Sequence, residues 1–156
     1  MEASHITVRG ENVDRLAGTL IEDKATESKQ SINKRGVRNI HKYEGDGVTH
    51  LAYERGAAYE DSWLMVSILV ERIDDRTARV SVLVGGGGRG PFKLEEISMR
   101  RLLRGEGSVG EAGRFGTVLE DVKRACESLD LEIITQWETD TEPSMSAKIE
   151  RKIFES

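Results

Sequence analysis

Residues 63–86, WLMVSILVERIDDRTARVSVLVGG, contain the pattern that decides the fold. The first half is rich in β-branched and large apolar residues, which favour a strand over a helix. Residues 74–76 predict a turn, so Trp63–Ile73 and Ala78–Val84 form a β-hairpin. In the returning strand one face is entirely apolar and consists of Val80, Val82 and Val84. A sheet with one buried face and one partly solvent-exposed face is typical of antiparallel pairing.

A second hairpin precedes the first. Val37–Tyr43 and Val48–Arg55 flank the sequence Glu44-Gly45-Asp46-Gly47, in which glycine and aspartate favour a tight turn. At the start of the chain, Ala3–Arg9 alternates between apolar and polar residues and predicts a short, half-buried strand.

Helical spacing replaces this alternation after Gly10. Asn12 predicts an N-cap, because its side chain can accept a backbone N–H of the first turn. The apolar face of the predicted helix consists of Val13, Leu16, Ala17, Leu20 and Ile21. The polar residues 23–36 either extend this helix or form a loop.

Downstream of the hairpins the sequence predicts a short helix over Glu95–Arg104 and a longer amphipathic helix over Phe115–Leu129. Leu131–Trp137 is consistent with a closing strand. In the polar tail, Ser144 could cap a last helix with an apolar face of Met145, Ile149 and Ile153. Such a short helix needs a surface to pack on, so it docks on the domain, docks on another subunit or is disordered.

These elements predict an α+β fold: an antiparallel meander sheet, in the order strand, helix, four strands, helix, with the helices packed on one face. We expect residues 1–137 to form a single α+β domain, followed by a polar tail over residues 138–156 with a short C-terminal helix. No internal repeat is visible.

Composition narrows the class of protein. The chain has 156 residues, a net charge of -5 and a pI of about 5.3, so nucleic acid is not an expected partner. The segment from Lys24 to Lys42 contains six basic residues and one acidic residue. A solvated connection explains this run better than a phosphate-binding patch. The longest apolar run, Trp63–Val70, is too short for a membrane helix.

A single cysteine, Cys126, lies on the apolar face of the predicted Phe115–Leu129 helix. One cysteine cannot form an intrachain disulfide, and a small buried hydrophobe explains it better than a reactive thiol. The N-terminal residues lack the basic and apolar regions of a signal peptide. The cytoplasm is therefore the expected location.

Residues 85–91, GGGGRGP, contain spacing that matches the dinucleotide-binding pattern G-x-G-x-x-G. That pattern requires a parallel strand–helix unit with a helix that begins at once, whereas here the strand belongs to a hairpin and Pro91 intervenes. Two explanations remain. The glycines allow an unusual backbone path at a strand end, or their N–H groups bind a small anion. The anion-site candidates are Gly86, Gly87, Gly88, Arg89 and Gly90.

Histidines provide a second candidate site. A hairpin turn centred on Gly45-Asp46 would place His41 opposite His50, where two imidazoles could share a metal ion. His5 could supply a third ligand if the first strand lies alongside. Solvent-facing polar residues are the simpler explanation, and a shift of the turn by one residue removes the pairing.

No nucleophile–base arrangement and no G-x-S-x-G motif are present, so the sequence leaves open whether the protein is an enzyme. Arg100, Arg101 and Arg104 form a basic group near the glycine cluster; a solvated helix face explains them more simply than an anionic ligand.

A strand pair followed by a glycine cluster and an amphipathic helix resembles a family of small uncharacterised prokaryotic proteins, a domain of unknown function. The resemblance rests on Trp63–Val70, Arg79–Gly90 and Phe115–Leu129, about a quarter of the chain. It implies that no activity is assigned, and therefore no functional residue and no cofactor can be carried over.

The sequence favours a non-catalytic binding or assembly domain that forms a homo-oligomer, because apolar strand faces appear without a catalytic set. The alternative is a domain, or an enzyme, that binds a small molecule or anion through the glycine-rich loop at residues 85–90.

Overall fold

The computed structural model describes residues 2–30, 36–56, 63–86, 111–135 and 145–155. The strands are β1 (Glu2–Arg9), β2 (Val37–Glu44), β3 (Val48–Gly56), β4 (Trp63–Asp74), β5 (Thr77–Gly86) and β6 (Glu132–Thr135). The helices are a 3₁₀ turn (Val13–Arg15), α1 (Leu16–Gln30), α2 (Glu111–Ser128) and α3 (Met145–Phe154). No helix in these ranges is long and apolar enough to span a membrane.

All six strands form one antiparallel sheet in the order β2-β3-β4-β5-β1-β6. The α+β class and the antiparallel sheet are confirmed, and β2 to β5 form the predicted meander. The predicted order of elements is incomplete, because β6 and α3 follow the amphipathic helix. The sheet is also not a meander throughout: β1 lies between β5 and β6, where Val8 pairs with both Ala78 and Ile133.

The two faces of the sheet differ. We call the face that packs on the helices the inner face; its fully buried side chains include Ile6, Val8, Val66, Ile68, Val80 and Val82. All three helices contact residues that point to this face. Lys24 of α1 and Asp121 of α2 meet beside Arg55 of β3, and Glu150 of α3 meets Ser4 of β1. The described helices therefore lie on one side of the sheet.

The start of the first helix differs from the prediction. Asn12 makes no side-chain capping hydrogen bond; instead its Nδ2 donates to the carbonyl oxygen of Leu129 at 3.2 Å. The Asn12 side chain therefore bonds to a carbonyl just after α2 and not, as its position in the sequence predicts, to a backbone N–H of the first helical turn. The helix itself continues to Gln30, so the first half of the ambiguous polar segment is helical.

The C-terminal helix docks on the domain. Ile149 is buried, Ile153 packs against the core, and Lys123 of α2 donates from Nζ to the carbonyl oxygen of Ile153 at 3.1 Å. This cation satisfies a carbonyl in the last turn of α3, where helices lack internal partners. In α2, Cys126 is buried as predicted, and burial raises the pKa of its thiol to about 12.

A carboxyl group is buried beneath α3. Glu150 is 5% exposed, and Ser4 donates from Oγ to its Oε2 at 2.5 Å. Burial raises the pKa of Glu150, while the hydrogen bond from Ser4 partly opposes the change. Desolvation of the charged form explains the direction.

We expect this carboxyl to make stability depend on pH. Because its folded-state pKa is raised, the folded chain holds the proton more tightly than the unfolded chain. Its contribution is complete below the unfolded-state pKa, about 4.3 for a glutamate, and is lost as pH rises through the folded-state value. Glu150→Gln should remove this loss and be more stable than the wild type at pH 7. Urea unfolding at several pH values between 4 and 8 measures how the free energy of unfolding depends on pH.

The matched control is Glu120→Gln, at an exposed position of α2. In this variant the free energy of unfolding should change with pH by the same slope as in the wild type. Equal slopes in wild type and Glu150→Gln would contradict the assignment.

Candidate functional site

The face of the sheet that points away from the helices, which we call the outer face, carries exposed apolar side chains. Met65 is 61% exposed, Leu69 37% and Leu83 38%. These three lie on β4 and β5, in the middle of the sheet rather than at its edges. A group of exposed apolar side chains on neighbouring strands is a candidate interaction site.

Strand register places small and large side chains side by side in this central region. Leu69 pairs with Ser81, and Ser67 pairs with Leu83, so leucine and serine alternate across β4 and β5. The next strand adds Ala52 opposite Ser67. The centre of the outer face is therefore apolar and uneven, which allows side chains of a partner to interdigitate.

Two pairs of oppositely charged side chains lie on the outer face. Arg38 donates from Nε to Glu54 Oε2 at 2.7 Å, and its guanidinium lies 3.4 Å from the centroid of the Trp63 ring. The hydrogen bond from Arg38 lowers the pKa of Glu54. Toward the opposite end of the strands, Arg79 and Glu71 approach to 3.5 Å. The apolar centre thus lies between two ion pairs, each of zero net charge.

The predicted pairing of His41 with His50 is wrong. His50 pairs with Tyr43, and His41 pairs with Ala52. The turn closes at Gly45, whose N–H donates to the carbonyl oxygen of Val48 at 2.8 Å, and this closure shifts every later pair. Side-chain composition could not have located this point, because Gly45 and Gly47 both suit a turn.

Hydroxyl groups engage two of the histidines. His50 Nε2 lies 2.7 Å from Ser67 Oγ, and His5 Nδ1 lies 2.9 Å from Ser81 Oγ. Within the described ranges, no group of three or more His, Cys, Asp or Glu side chains could hold a metal ion. A metal site on His41 and His50 therefore has no additional ligand in that part of the chain.

Of the predicted anion-site residues only Gly86 is described. It ends β5 with φ +85°, and a Cβ there would lie 3.5 Å from the carbonyl oxygen of Trp63. Glycine suits this position because other residues rarely adopt such a φ. Gly87, Gly88, Arg89 and Gly90 lie outside the described residues, as does the predicted Glu95–Arg104 helix, so the anion site stays a prediction.

A buried ion cluster joins α1, β3 and α2 on the inner side of the sheet. Lys24 is only 2% exposed, and its Nζ donates to Asp121 Oδ2 at 2.5 Å and to Glu27 Oε2 at 2.9 Å. Arg55 donates from Nη2 to the same two carboxylates at 2.9 and 3.2 Å. Arg124, which is largely exposed, also donates from Nη2 to Asp121 Oδ1. The two buried cations, Lys24 and Arg55, are thus matched by two carboxylates, which is the condition for burying charge at moderate cost.

The sequence interpretation of the basic run is therefore wrong at its first residue: Lys24 is not a solvated surface charge. The signal that could have located it is its spacing, because Leu16, Leu20 and Lys24 recur every four residues and share the buried face of α1. What the sequence lacks is the partner, since Asp121 lies 97 residues away.

Tyr53 lies beside the ion cluster with its phenol buried. Its ring centroid is 5.7 Å from Lys24 Nζ, and no described residue makes a hydrogen bond of normal geometry to its hydroxyl, although Arg55 lies close by. Burial raises the pKa of Tyr53, and the nearby Asp121 and Glu27 add to the rise while Arg55 opposes it. Arg55 Nε is likewise buried without an acceptor. Buried groups without partners weaken the fold.

We expect Tyr53→Phe to raise the free energy of unfolding by about 1 kcal/mol, because it removes a buried hydroxyl without a partner. Urea unfolding at pH 7 measures the change. A loss of stability of similar size would show that the hydroxyl has a partner after all.

In contrast, Asp121→Asn should lower the free energy of unfolding by about 3 kcal/mol, since it leaves Lys24 and Arg55 with one carboxylate between them. Asp23→Asn, at an exposed position of α1, is the matched control and should change little. Equal effects at the two positions would contradict a supporting role for the ion cluster.

No family model matches the chain, and no curated protein and no solved structure is significantly similar to it.

Proposed function

We propose that this protein is a non-catalytic assembly domain that forms a homodimer, in which the outer face of one copy packs on the outer face of a second copy. The observation that carries the proposal is the exposure of Met65, Leu69 and Leu83 on the two central strands of a sheet whose other face is covered. Methionine and aromatic side chains are enriched in protein interfaces, and Trp63 and Tyr43 lie on the same face.

The face of the sheet is a better contact than its edges. At one edge, β2 contains an irregularity between Arg38 and His41, where Asn39 has φ +51°. At the other edge, the described part of β6 spans four residues. Bulges, charged side chains and short edge strands all oppose edge-to-edge pairing, so backbone association through β2 or β6 is disfavoured.

A second copy is the partner that suits the charge of this face. The chain carries a net charge of -5, which would repel another copy on average. On the outer face, however, Glu54 is paired with Arg38 and Glu71 with Arg79. Two such faces meet without net repulsion, and a two-fold axis brings the same patch of each copy together.

The size of the face also fits a dimer. Six strands about 4.8 Å apart, each about eight residues long at 3.3 Å per residue, outline roughly 700 Å². A stable interface typically buries about 800 Å² per partner. Two twisted sheets can stack in this way when their inner-facing side chains interdigitate, as the alternation of leucine and serine allows.

The absence of a recognisable reaction centre in the described residues fits this role. The thiol of Cys126 is buried with a raised pKa, which disfavours the reactive thiolate. Lys24 and Arg55 are held by Glu27 and Asp121 in the ion cluster. These groups stabilise packing between elements.

Sedimentation velocity at pH 7.5 tests the proposal. We expect the wild-type protein to sediment as a dimer at micromolar concentrations. Leu83 pairs with Ser67 and Ala3, so no carboxylate lies opposite it. Leu83→Lys should raise the dissociation constant at least about tenfold, because a desolvated lysine at the centre of an interface costs more than 1.4 kcal/mol. Thr26→Lys introduces the same charge at an exposed position of α1 and should leave the dimer intact.

A wild-type protein that stays monomeric even at concentrations roughly 100 times higher than micromolar would contradict the proposal. So would a Leu83→Lys variant that dimerises as tightly as the wild type. Far-UV circular dichroism of both variants checks that neither change unfolds the domain.

A further inference from the structure

The chain contains three histidines, His5, His41 and His50, and all of them lie on the outer face. The register places two of them in one row across four strands. His50 of β3 pairs with Leu69 of β4, Leu69 pairs with Ser81 of β5, and Ser81 pairs with His5 of β1. One imidazole therefore lies on each side of the apolar centre, and His41 on β2 belongs to the neighbouring row.

We propose that protonation of these histidines dissociates the homodimer, so that the outer face is an interface controlled by pH. This inference rests on the proposed function. Histidine is the side chain whose ordinary pKa makes it gain a charge between pH 8 and 5. A face-to-face dimer brings six imidazoles into one interface, and their protonation there would place like charges in a region with little water.

The nearest neighbours of His50 and His5 do not neutralise these new charges. His50 is flanked by Tyr43, Leu69 and Ser67, and His5 by Ser81. A serine hydroxyl can accept a hydrogen bond from either protonation state of imidazole, so it removes no charge.

Two carboxylates of the outer face, Glu54 and Glu71, are held mainly by groups other than histidine. His41 helps to lower the pKa of Glu54, but Arg38 and Asn39 hold that carboxyl through hydrogen bonds and dominate the effect. Glu71 is paired with Arg79. Neither carboxylate pairs directly with a histidine in the strand register, and none of the described helices packs on this face. In the dimer, the facing copy contributes the same set of groups.

The sign of the pH effect separates this mechanism from general electrostatics. The chain has a net charge of -5 at pH 7 and a pI of about 5.3. As pH falls from 7.5 to 6, the net charge approaches zero, and the average repulsion between two copies decreases. Net charge alone therefore predicts tighter association at pH 6, whereas protonation of the interface predicts weaker association.

The experiment is sedimentation equilibrium at pH 7.5, 6.8 and 6.0 at constant ionic strength, on the wild type and on a variant with His5→Gln, His41→Gln and His50→Gln together. We expect the wild-type dissociation constant to rise at least about tenfold from pH 7.5 to 6.0. The triple variant should remain a dimer, with a dissociation constant that changes less than about twofold. Single variants at His5 and His50, which keep most of the face, should each reduce the pH dependence.

The outcomes distinguish this inference from the proposed function. A wild-type monomer at pH 7.5 would overturn both. A wild-type dimer whose dissociation constant is unchanged or lower at pH 6.0 would overturn only the role of the histidines. A triple variant that folds, dimerises and keeps the full pH dependence would assign that dependence to other groups and overturn the inference as well.

Discussion

The antiparallel pairing of β4 with β5 is the constraint on which the rest of the structure depends. Because successive side chains of a strand point to opposite faces, this register directs Val66, Ile68, Val80 and Val82 toward the helices. The same register directs Met65, Leu69 and Leu83 away from them. The buried core and the exposed apolar face are therefore two consequences of one pairing, and neither can change without the other.

The ion cluster shows how α1 and α2 are positioned on the inner face of the sheet. Lys24 and Arg55 lie on different elements, and Asp121 of α2 accepts hydrogen bonds from both. Buried ion pairs require well-aligned partners to offset desolvation. They therefore fix which parts of α1 and α2 contact the sheet more strictly than apolar packing alone.

Sequence periodicity predicted the hairpins, the amphipathic helix and the burial of Cys126, because each depends on neighbours within one or two elements. It did not predict that β1 inserts between β5 and β6, since that arrangement depends on partners such as Ala78 and Ile133 far along the chain. Lys24 was misassigned for the same reason. The exposed histidines were identified, but their pairing depended on one turn hydrogen bond from Gly45.

The central claim is that the outer face is an interface between two copies of this chain. Sedimentation velocity of the wild-type protein at pH 7.5 tests it most directly, because it requires no variant and no ligand. The account predicts a dimer at micromolar concentrations. A single monomeric species across the accessible concentration range would contradict it.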